Sequence, residues 1–401
     1  MITRIEIDGF KSFVDFSLDL APFTAVIGTN AGGKSNLIDA FRFLAASVKG
    51  DLFDAIEAVR GDAESLFHQY ADGSRVDTMR FAVEFSDRPD SQPTRYETRV
   101  TWGETAGLRR LVHKDELIKP ISAPVDVWLP LARRDDRLGF VLPPVIQSPE
   151  PTTLLSEESR SWVDSLEELV GLRACQFESS ALRRLSKVGL RYDMAADGSG
   201  LPGYLLQIRN HTRSEDDPYG ALRAIRLVLH GVVPDVSGFE VIEDSVRRDV
   251  RIEFTAENEP PFEAEVASDG TLRTLAILAT LADPFQTGPL LIDEPENGVY
   301  PERLRKLLRT IESVTEPRDA GPEVRPTQVL LASHSPAVLD VLPPENVVFL
   351  DAVPQVGLGK RRRVTRARRA AESTAKDSTA NWGPLRSANV ERFRSGGELR
   401  D

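Results

Sequence analysis

An α/β fold with a mostly parallel sheet and crossover helices is what the sequence predicts, on three observations. Short apolar runs stop abruptly at glycine or acid, as at residues 23–27 before a glycine-rich turn and at Leu290, Leu291 and Ile292 before Asp293 and Glu294. Apolar residues at helical spacing follow, first at Leu37, Ile38, Phe41, Phe43 and Leu44. From Ser268 onward, strand-like and helix-like segments alternate, which is the pattern of strands joined by crossover helices.

Taken in order, Ile2, Ile5 and Ile7, then Val14, Phe16, Leu18 and Leu20, give two strands with one buried face each. The run at 23–27, its turn and the helix after it make a strand-loop-helix unit. Residues 51–265 are different: alternating segments at 79–85 and 95–102 and helical stretches at 157–170 and 219–229 are separated by many Pro and Gly, as in a mixed β/helical insert. A helix to about residue 281 follows, then a strand at 289–292, a helix at 302–311, a strand at 328–332, a short helix after Pro336 and a strand at 347–350. The expected organisation is one lobe built from 1–50 and 266–351, an inserted subdomain at 51–265, and a basic C-terminal tail at 352–401. No repeat and no sustained heptads occur, so long coiled-coil arms are not expected.

The 401 residues are 41 % hydrophobic and 28 % charged, ordinary globular usage with room for a sizeable core. No signal-peptide pattern and no run of 18 apolar residues is present, so a cytoplasmic, membrane-free protein is expected. One cysteine, Cys175, excludes an internal disulfide, and five scattered histidines lack zinc-ligand spacing. A net charge of −12 argues against a protein that coats nucleic acid with its whole surface. Any such contact must be local, and Lys360–Arg369, with seven basic residues in ten, is either that contact or a solvated tail.

Gly28-Thr29-Asn30-Ala31-Gly32-Gly33-Lys34-Ser35 fits the P-loop pattern, after a strand and before a helix. Its glycines let backbone N–H groups face phosphate oxygens, Lys34 reaches the β- and γ-phosphates of a nucleotide, and Ser35 takes Mg²⁺. Such a site needs carboxylate at the C-terminal end of a parallel strand. Asp293 is the candidate for Mg²⁺, and Glu294 for orienting or deprotonating the attacking water. A second strand end, Ser333-His334-Ser335-Pro336, has Ser335 as N-cap and Pro336 at the first helical position. That leaves His334 for the γ-phosphate and the water. Ser333, His334 and Ser335 do not make a hydrolase triad, because adjacent residues cannot meet in that geometry.

With these pieces in order, the chain resembles ABC-class ATPases of the RecF and SMC type, in particular the compact AAA-family ATPases related to the OLD group. The resemblance rests on Ile7-Asp8-Gly9-Phe10-Lys11-Ser12-Phe13, on the P-loop through Asn36, on Ser268-Asp269-Gly270-Thr271, on Asp293-Glu294-Pro295-Glu296-Asn297 and on Ser333-His334-Ser335-Pro336. It implies a P-loop NTPase head of ABC type with a mixed sheet core and an antiparallel β segment. Lys11, Gly28, Asn30, Gly32, Gly33, Lys34, Ser35 and Asn36 would hold ATP, and Ser35 and Asp293 would hold Mg²⁺. Ser268 and Gly270 would complete the site of a second copy in a head-to-tail dimer, and hydrolysis at Glu294, with His334 and Lys34, would release it. Asn297 and Gly298 would lie in the loop at that interface. Asp269 would turn away from the phosphate, capping its helix or pairing across the interface. Three positions depart from the pattern: the signature reads SDGT rather than SGGQ, Tyr300 stands where histidine is common, and the glutamine lid has only Gln69 and Gln176 as candidates.

Two functions follow from this. One is an ATPase that dimerises on ATP and acts on DNA, in repair or anti-phage defence. The other is a regulator whose ATP turnover controls a partner effector, a nuclease or toxin, without acting on DNA itself. A transporter subunit would carry SGGQ and a glutamine loop close behind the P-loop helix, and a GTPase would carry N-K-x-D; neither pattern is present.

Overall fold

The computed structural model describes residues 1–28, 31–86, 93–105, 108–122, 129–130, 132–134, 137–141, 165–189, 192–315, 327–357, 359–369 and 387–394. They fall into two compact units, Met1–Leu172 with Thr287–Pro289 and Pro344–Asp401, and Arg173–Gln286 with Leu290–Pro343. This division runs differently from a lobe with an insert at residue 51, because the strand at 78–85 pairs directly with the N-terminal strand.

In the first unit, β1 (Ile2–Asp8), β2 (Phe16–Asp19), β4 (Thr78–Phe85), β5 (Thr94–Thr105), β6 (Leu108–Pro120) and β7 (Leu129–Pro130) form an antiparallel sheet in the order β2-β1-β4-β5-β6-β7. Ile2 and Ile5 are three apart, out of period two, yet both are fully buried, because a bulge between Ile2 and Arg4 resets the register. Phe81, Val83 and Phe85 face the core, and the other face carries a lattice of ion pairs. In it Arg95 meets Glu6 and Glu84, both at 2.6 Å, Arg80 meets Glu97 at 2.7 Å, and Arg4 meets Asp19 at 2.6 Å.

β3 (Phe23–Gly28), buried throughout, leads to α1 (Lys34–Lys49), whose Phe43 packs at 5.5 Å from Phe81 and 5.8 Å from Phe10. Two short helices follow in this unit, α2 (Leu52–Glu57) and α3 (Glu167–Val170), and β8 (Ala132–Arg134) pairs with β9 (Arg137–Val141). β3 runs parallel to β17 (Val347–Gly357), which pairs antiparallel with β18 (Lys360–Arg369). Reading residues 352–401 as a tail therefore fails for the hairpin: Val353, Val364 and Thr365 are buried and give it an inward side that the arginine count conceals. A last helix, α10, spans Ser387–Arg394.

In the second unit β10 (Arg173–Cys175), β15 (Leu290–Asp293) and β16 (Val329–Ser333) are parallel. Leu290, Leu291, Ile292, Val329, Leu330, Leu331 and Ala332 are all buried, as strands covered on both faces require. Helices α7 (Asp269–Leu281), α8 (Pro301–Thr315) and α9 (Val338–Val341) belong to this part. A smaller antiparallel sheet of β11 (Ser186–Lys187), β12 (Gly238–Asp244), β13 (Asp249–Thr255) and β14 (Phe262–Glu263) accompanies α4 (Ser179–Leu182), α5 (Leu201–Thr212) and α6 (Ala221–Val232). Among the described residues, no helix is long and apolar enough to cross a membrane.

Candidate active site

The first unit holds the glycine-rich loop and the start of α1. Gly28 ends β3 so close to β17 that a Cβ there would sit 2.1 Å from the Leu350 carbonyl oxygen, and Gly33 has φ +106° with its Cβ position 2.2 Å from Thr365 Oγ1. Gly32 and Gly33 are buried and Ser35 half-buried. Gly33 caps α1 without a side-chain bond and no acid stands in its first turn, so the donor end of the helix is left for an anion. Lys34 is buried and curls back over the loop, its Nζ donating to the Gly28 carbonyl at 2.8 Å. These residues fit a nucleotide's phosphates. Asn30 lies outside the described residues.

Around this loop the side chains are tied to one another. Asn36 Nδ2 donates to Ser12 Oγ at 2.8 Å, and Ser12 Oγ bonds Thr365 Oγ1 at 2.7 Å. Lys11, in left-handed backbone at φ 48°, reaches the buried Asp39 of α1 at 2.6 Å and the Arg60 carbonyl at 2.8 Å. Burial pulls the Lys11 pKa below its ordinary value, against the opposing pull of Asp39. The cation expected near phosphate is here paired to a carboxylate of the P-loop helix.

The second unit holds the acids and the histidine. β15 ends at Asp293, opposite Ala332 of β16, and Glu294 follows in left-handed backbone at φ 47°. Strain of this kind in a glutamate is held by its surroundings and is found at functional sites. Here Glu294 N donates to the Ala332 carbonyl at 2.8 Å. Asn297 Nδ2 donates to Glu294 Oε2 at 2.7 Å, while His334 Nε2 stands 3.6 Å from Oε1, beyond hydrogen-bond length. Both Glu294 and His334 keep a third or more of their side-chain surface open. The loop is locked to β16 by Glu296, which accepts from Ser333 Oγ at 2.9 Å and from the His334 backbone N–H. Ser335 Oγ accepts from Ala337 N at 3.3 Å, capping an opening turn; the regular helix starts at Val338.

Gln176, one residue past β10, donates from Nε2 to Asp293 Oδ2 at 3.0 Å. Cys175 pairs with Ile292 in the parallel register, so Gln176 is carried to the strand end beside the acid. The other lid candidate, Gln69, lies on an exposed turn bonded to the Gly73 carbonyl. Among the described residues no three His, Cys, Asp or Glu gather as a metal cage, so Mg²⁺ would need phosphate oxygens and water to complete its ligands.

At the signature, Ser268 is exposed and caps α7, its Oγ accepting from Thr271 N at 3.1 Å. Gly270 is buried; a Cβ there would meet the Gly298 carbonyl oxygen at 2.2 Å, so packing against the 294–298 loop requires this glycine. Asp269 turns to Arg183 of the same chain, at 2.6 Å, rather than to its own helix end. The hydrogen bond from Arg183, with one from Ser179, holds its carboxyl below the usual range. Arg183 also donates to the carbonyls of Glu265 (3.2 Å), Ala267 (2.7 Å) and Ser179 (3.0 Å), clamping the turn that leads into the signature. Sequence reasoning missed Arg183 and the tie made by Glu296. No spacing rule links Arg183 to a loop 82 residues away, whereas Glu296 stood within the acidic motif itself. Tyr300 is largely exposed, with the Arg303 guanidinium 5.6 Å from its ring centre.

The family described as "AAA domain, putative AbiEii toxin, Type IV TA system" matches residues 23–340, well over half of the chain. The chain belongs to this AAA family. Over 87 residues this AAA-family chain is 32 % identical to the chromosome partition protein Smc of Methanocaldococcus jannaschii, covering 21 % of the chain and 7 % of that much longer relative. Among solved structures it is similar to an Smc head bound to the C-terminal winged-helix domain of ScpA (TM-score 0.56, 14 % identity, 91 % of this chain and 97 % of that one). It is also similar to the Smc head domain with an extended coiled coil bound to the C-terminal domain of ScpA derived from Pyrococcus furiosus (TM-score 0.54, 13 % identity, 91 % and 96 %). The AAA-family chain thus has the fold of an ABC-type, SMC-head-like P-loop ATPase.

Proposed function

We propose that the chain binds ATP with Mg²⁺, hydrolyses it, and uses ATP to hold two copies head to tail in a cytoplasmic DNA transaction, in repair or anti-phage defence. The observation that carries the catalytic part is the strained Glu294, aimed by Asn297 and flanked by His334. Gly28, Gly32, Gly33 and the first turn of α1 hold phosphate oxygens, Lys34 leaves the Gly28 carbonyl for the β- and γ-phosphates, and Lys11 is a further phosphate ligand once released from Asp39. Mg²⁺, held through Ser35 and Asp293, supplies neutralising charge. Glu294 takes a proton from the attacking water, Asn297 fixes the carboxylate that receives it, Gln176 orients Asp293, and His334 donates to the phosphate side. Ser268 caps the partner's phosphate.

Glu294→Gln tests the assignment, because it keeps the shape of the carboxylate and removes the base. The variant should bind a fluorescent ATP analogue as the parent does, lose phosphate release, and gain mass with ATP in light scattering; full turnover would remove Glu294 from its role. A second reading, control of a partner nuclease or toxin without direct DNA action, draws on the family's toxin-system description and on the ScpA-bound Smc head. An ATPase rate unchanged by linear, single-stranded or circular DNA would favour it.

A further inference from the structure

The β17–β18 hairpin carries the strongest local positive charge in a chain of net −12. Of the seven basic residues of β18, five are engaged within the first unit. Lys360 pairs with Asp72 at 3.1 Å, Arg362 donates to Gln355 at 2.8 Å, Arg366 and Arg368 meet Asp351 at 2.7 and 3.1 Å, and Arg369 donates to the carbonyls of Glu345 and Asp19. Arg361 and Arg363 are exposed, and among the described residues their side chains have no hydrogen-bond or ion-pair partner. They stand opposite Val356 and Pro354, which are exposed too, so the four make one open face.

This face lies on a hairpin held along the outer edge of β18, where Ala71 N donates to the Arg361 carbonyl at 2.9 Å and Thr365 N to the Ser12 carbonyl at 2.8 Å. β3 ends at Gly28, opposite Leu350, so residues 351–357 of β17 pair with β18 alone. Arginines exposed on such a held strand meet a duplex from outside, at the phosphate and sugar oxygens that take half or more of protein–DNA hydrogen bonds. Two strand residues apart, the arginines are about 6.7 Å from each other, a spacing commensurate with successive phosphates. Residues 351–369 contain no aromatic on which unpaired bases could stack, which favours a duplex over a single strand. The same strand face continues into Thr365, which packs on Gly33 of the P-loop and bonds Ser12, itself bonded to Asn36.

We propose that the Arg361 and Arg363 face of the β17–β18 hairpin docks the phosphate backbone of duplex DNA, and that Thr365 transmits docking to the P-loop. The transmission half rests on the ATPase reading; the docking half does not. Fluorescence anisotropy with a labelled duplex, titrated with NaCl, reads docking. R361A/R363A should bind about tenfold more weakly, with the magnitude of the slope of log K against log salt reduced by about two, one for each phosphate that an arginine no longer neutralises. Basal ATPase rate and affinity for a fluorescent ATP analogue should stay at the parent value.

Docking is overturned if the parent does not bind duplex, if the double variant binds it unchanged, if the variant loses ATP affinity instead, or if polyglutamate competes with the same arginine dependence, which would mark an acidic protein partner. Thr365→Val should keep duplex affinity and lose the DNA-induced change in ATPase rate, with Thr365→Ser restoring it. A T365V protein that still responds, or a parent whose rate ignores bound DNA, overturns transmission and leaves docking standing. A parent that hydrolyses no ATP sinks the ATPase reading, while the anisotropy result still decides docking.

Discussion

Replacing Arg183 by alanine is the most informative perturbation of the signature region, because one side chain there serves four acceptors. It donates to the carbonyls of Glu265, Ala267 and Ser179 and pairs with Asp269 at 2.6 Å. Asp269 is half exposed, so that ion pair contributes at most about 1 kcal/mol. Carbonyl bonds from a charged, three-quarters-buried donor contribute about 1 kcal/mol each, less where solvent reaches them, so R183A should loosen this loop by roughly 2–3 kcal/mol. It also frees the Asp269 carboxylate beside Ser268. A free charge about 6 Å from a partner's phosphate, at an effective dielectric of roughly 40, costs about 1.4 kcal/mol, a tenfold loss in ATP-driven association. The assay is sedimentation or light scattering of R183A, D269N and R183A/D269N, each on an E294Q background with ATP. If neutralising Asp269 is the role of Arg183, the double variant recovers the tenfold, and if clamping the carbonyls is the role, it does not. Association equal to the parent in R183A would refute both.

Acid should loosen the first unit through its charge lattice. Burial raises the Glu6 pKa, but the hydrogen bond and charge of Arg95 outweigh it and bring it to about 2, below the ordinary 4.5. The lattice therefore adds stability above pH 4.5 that is lost as pH falls through about 2. Glu6→Gln should remove about 2 kcal/mol of that contribution after allowance for partial exposure, and denaturant melts at pH 7 and pH 3 should converge relative to the parent. Gly33→Ala puts a methyl on Thr365 in a backbone of φ +106°, which costs about 1–3 kcal/mol; nucleotide titration should show the P-loop's affinity falling with the melting temperature, and a parent-like titration would contradict the close packing. Glu296→Gln keeps the shape but weakens the bonds to Ser333 and His334, so kcat should fall several-fold while the affinity for ATP holds; an unchanged kcat would separate Glu296 from the placement of His334.

Much of this fold is written in local signals. The P-loop, the Asp293-Glu294 strand end and the Ser268 cap each depend on neighbours within a few residues, where apolar runs, glycine and cap chemistry are read directly. The helix at 302–311 was legible for the same reason, although it extends to Pro301–Thr315. What stayed hidden is long-range. Gln176 reaches Asp293 only because β10 lies parallel to β15, and Gly270 is needed because the loop at Gly298 presses on it. The second case alters the meaning of the signature glycine: its missing side chain is accounted for by packing inside the chain, so the phosphate contact proposed for this motif rests on Ser268.

The hairpin shows a different limit, in how charge is counted. Composition sums charges, whereas recognition depends on those left uncompensated. Asp351 alone engages Arg366 and Arg368, and Asp72 engages Lys360, so most of the basic run is balanced before any partner arrives. Buried Asp39 likewise engages Lys11 and Arg60. Each such pair cancels one charge of either sign and leaves the net −12 unchanged, so a local contact with an anion depends on the cations that remain unpaired at one place. Seven basic residues in ten do not make a strong electrostatic footprint, since only Arg361 and Arg363 are left facing water without a partner among the described residues. Two such groups support a salt-sensitive encounter with a phosphate backbone, not a high-affinity grip. That is the strength expected of a contact that would form and release with the proposed turnover of ATP.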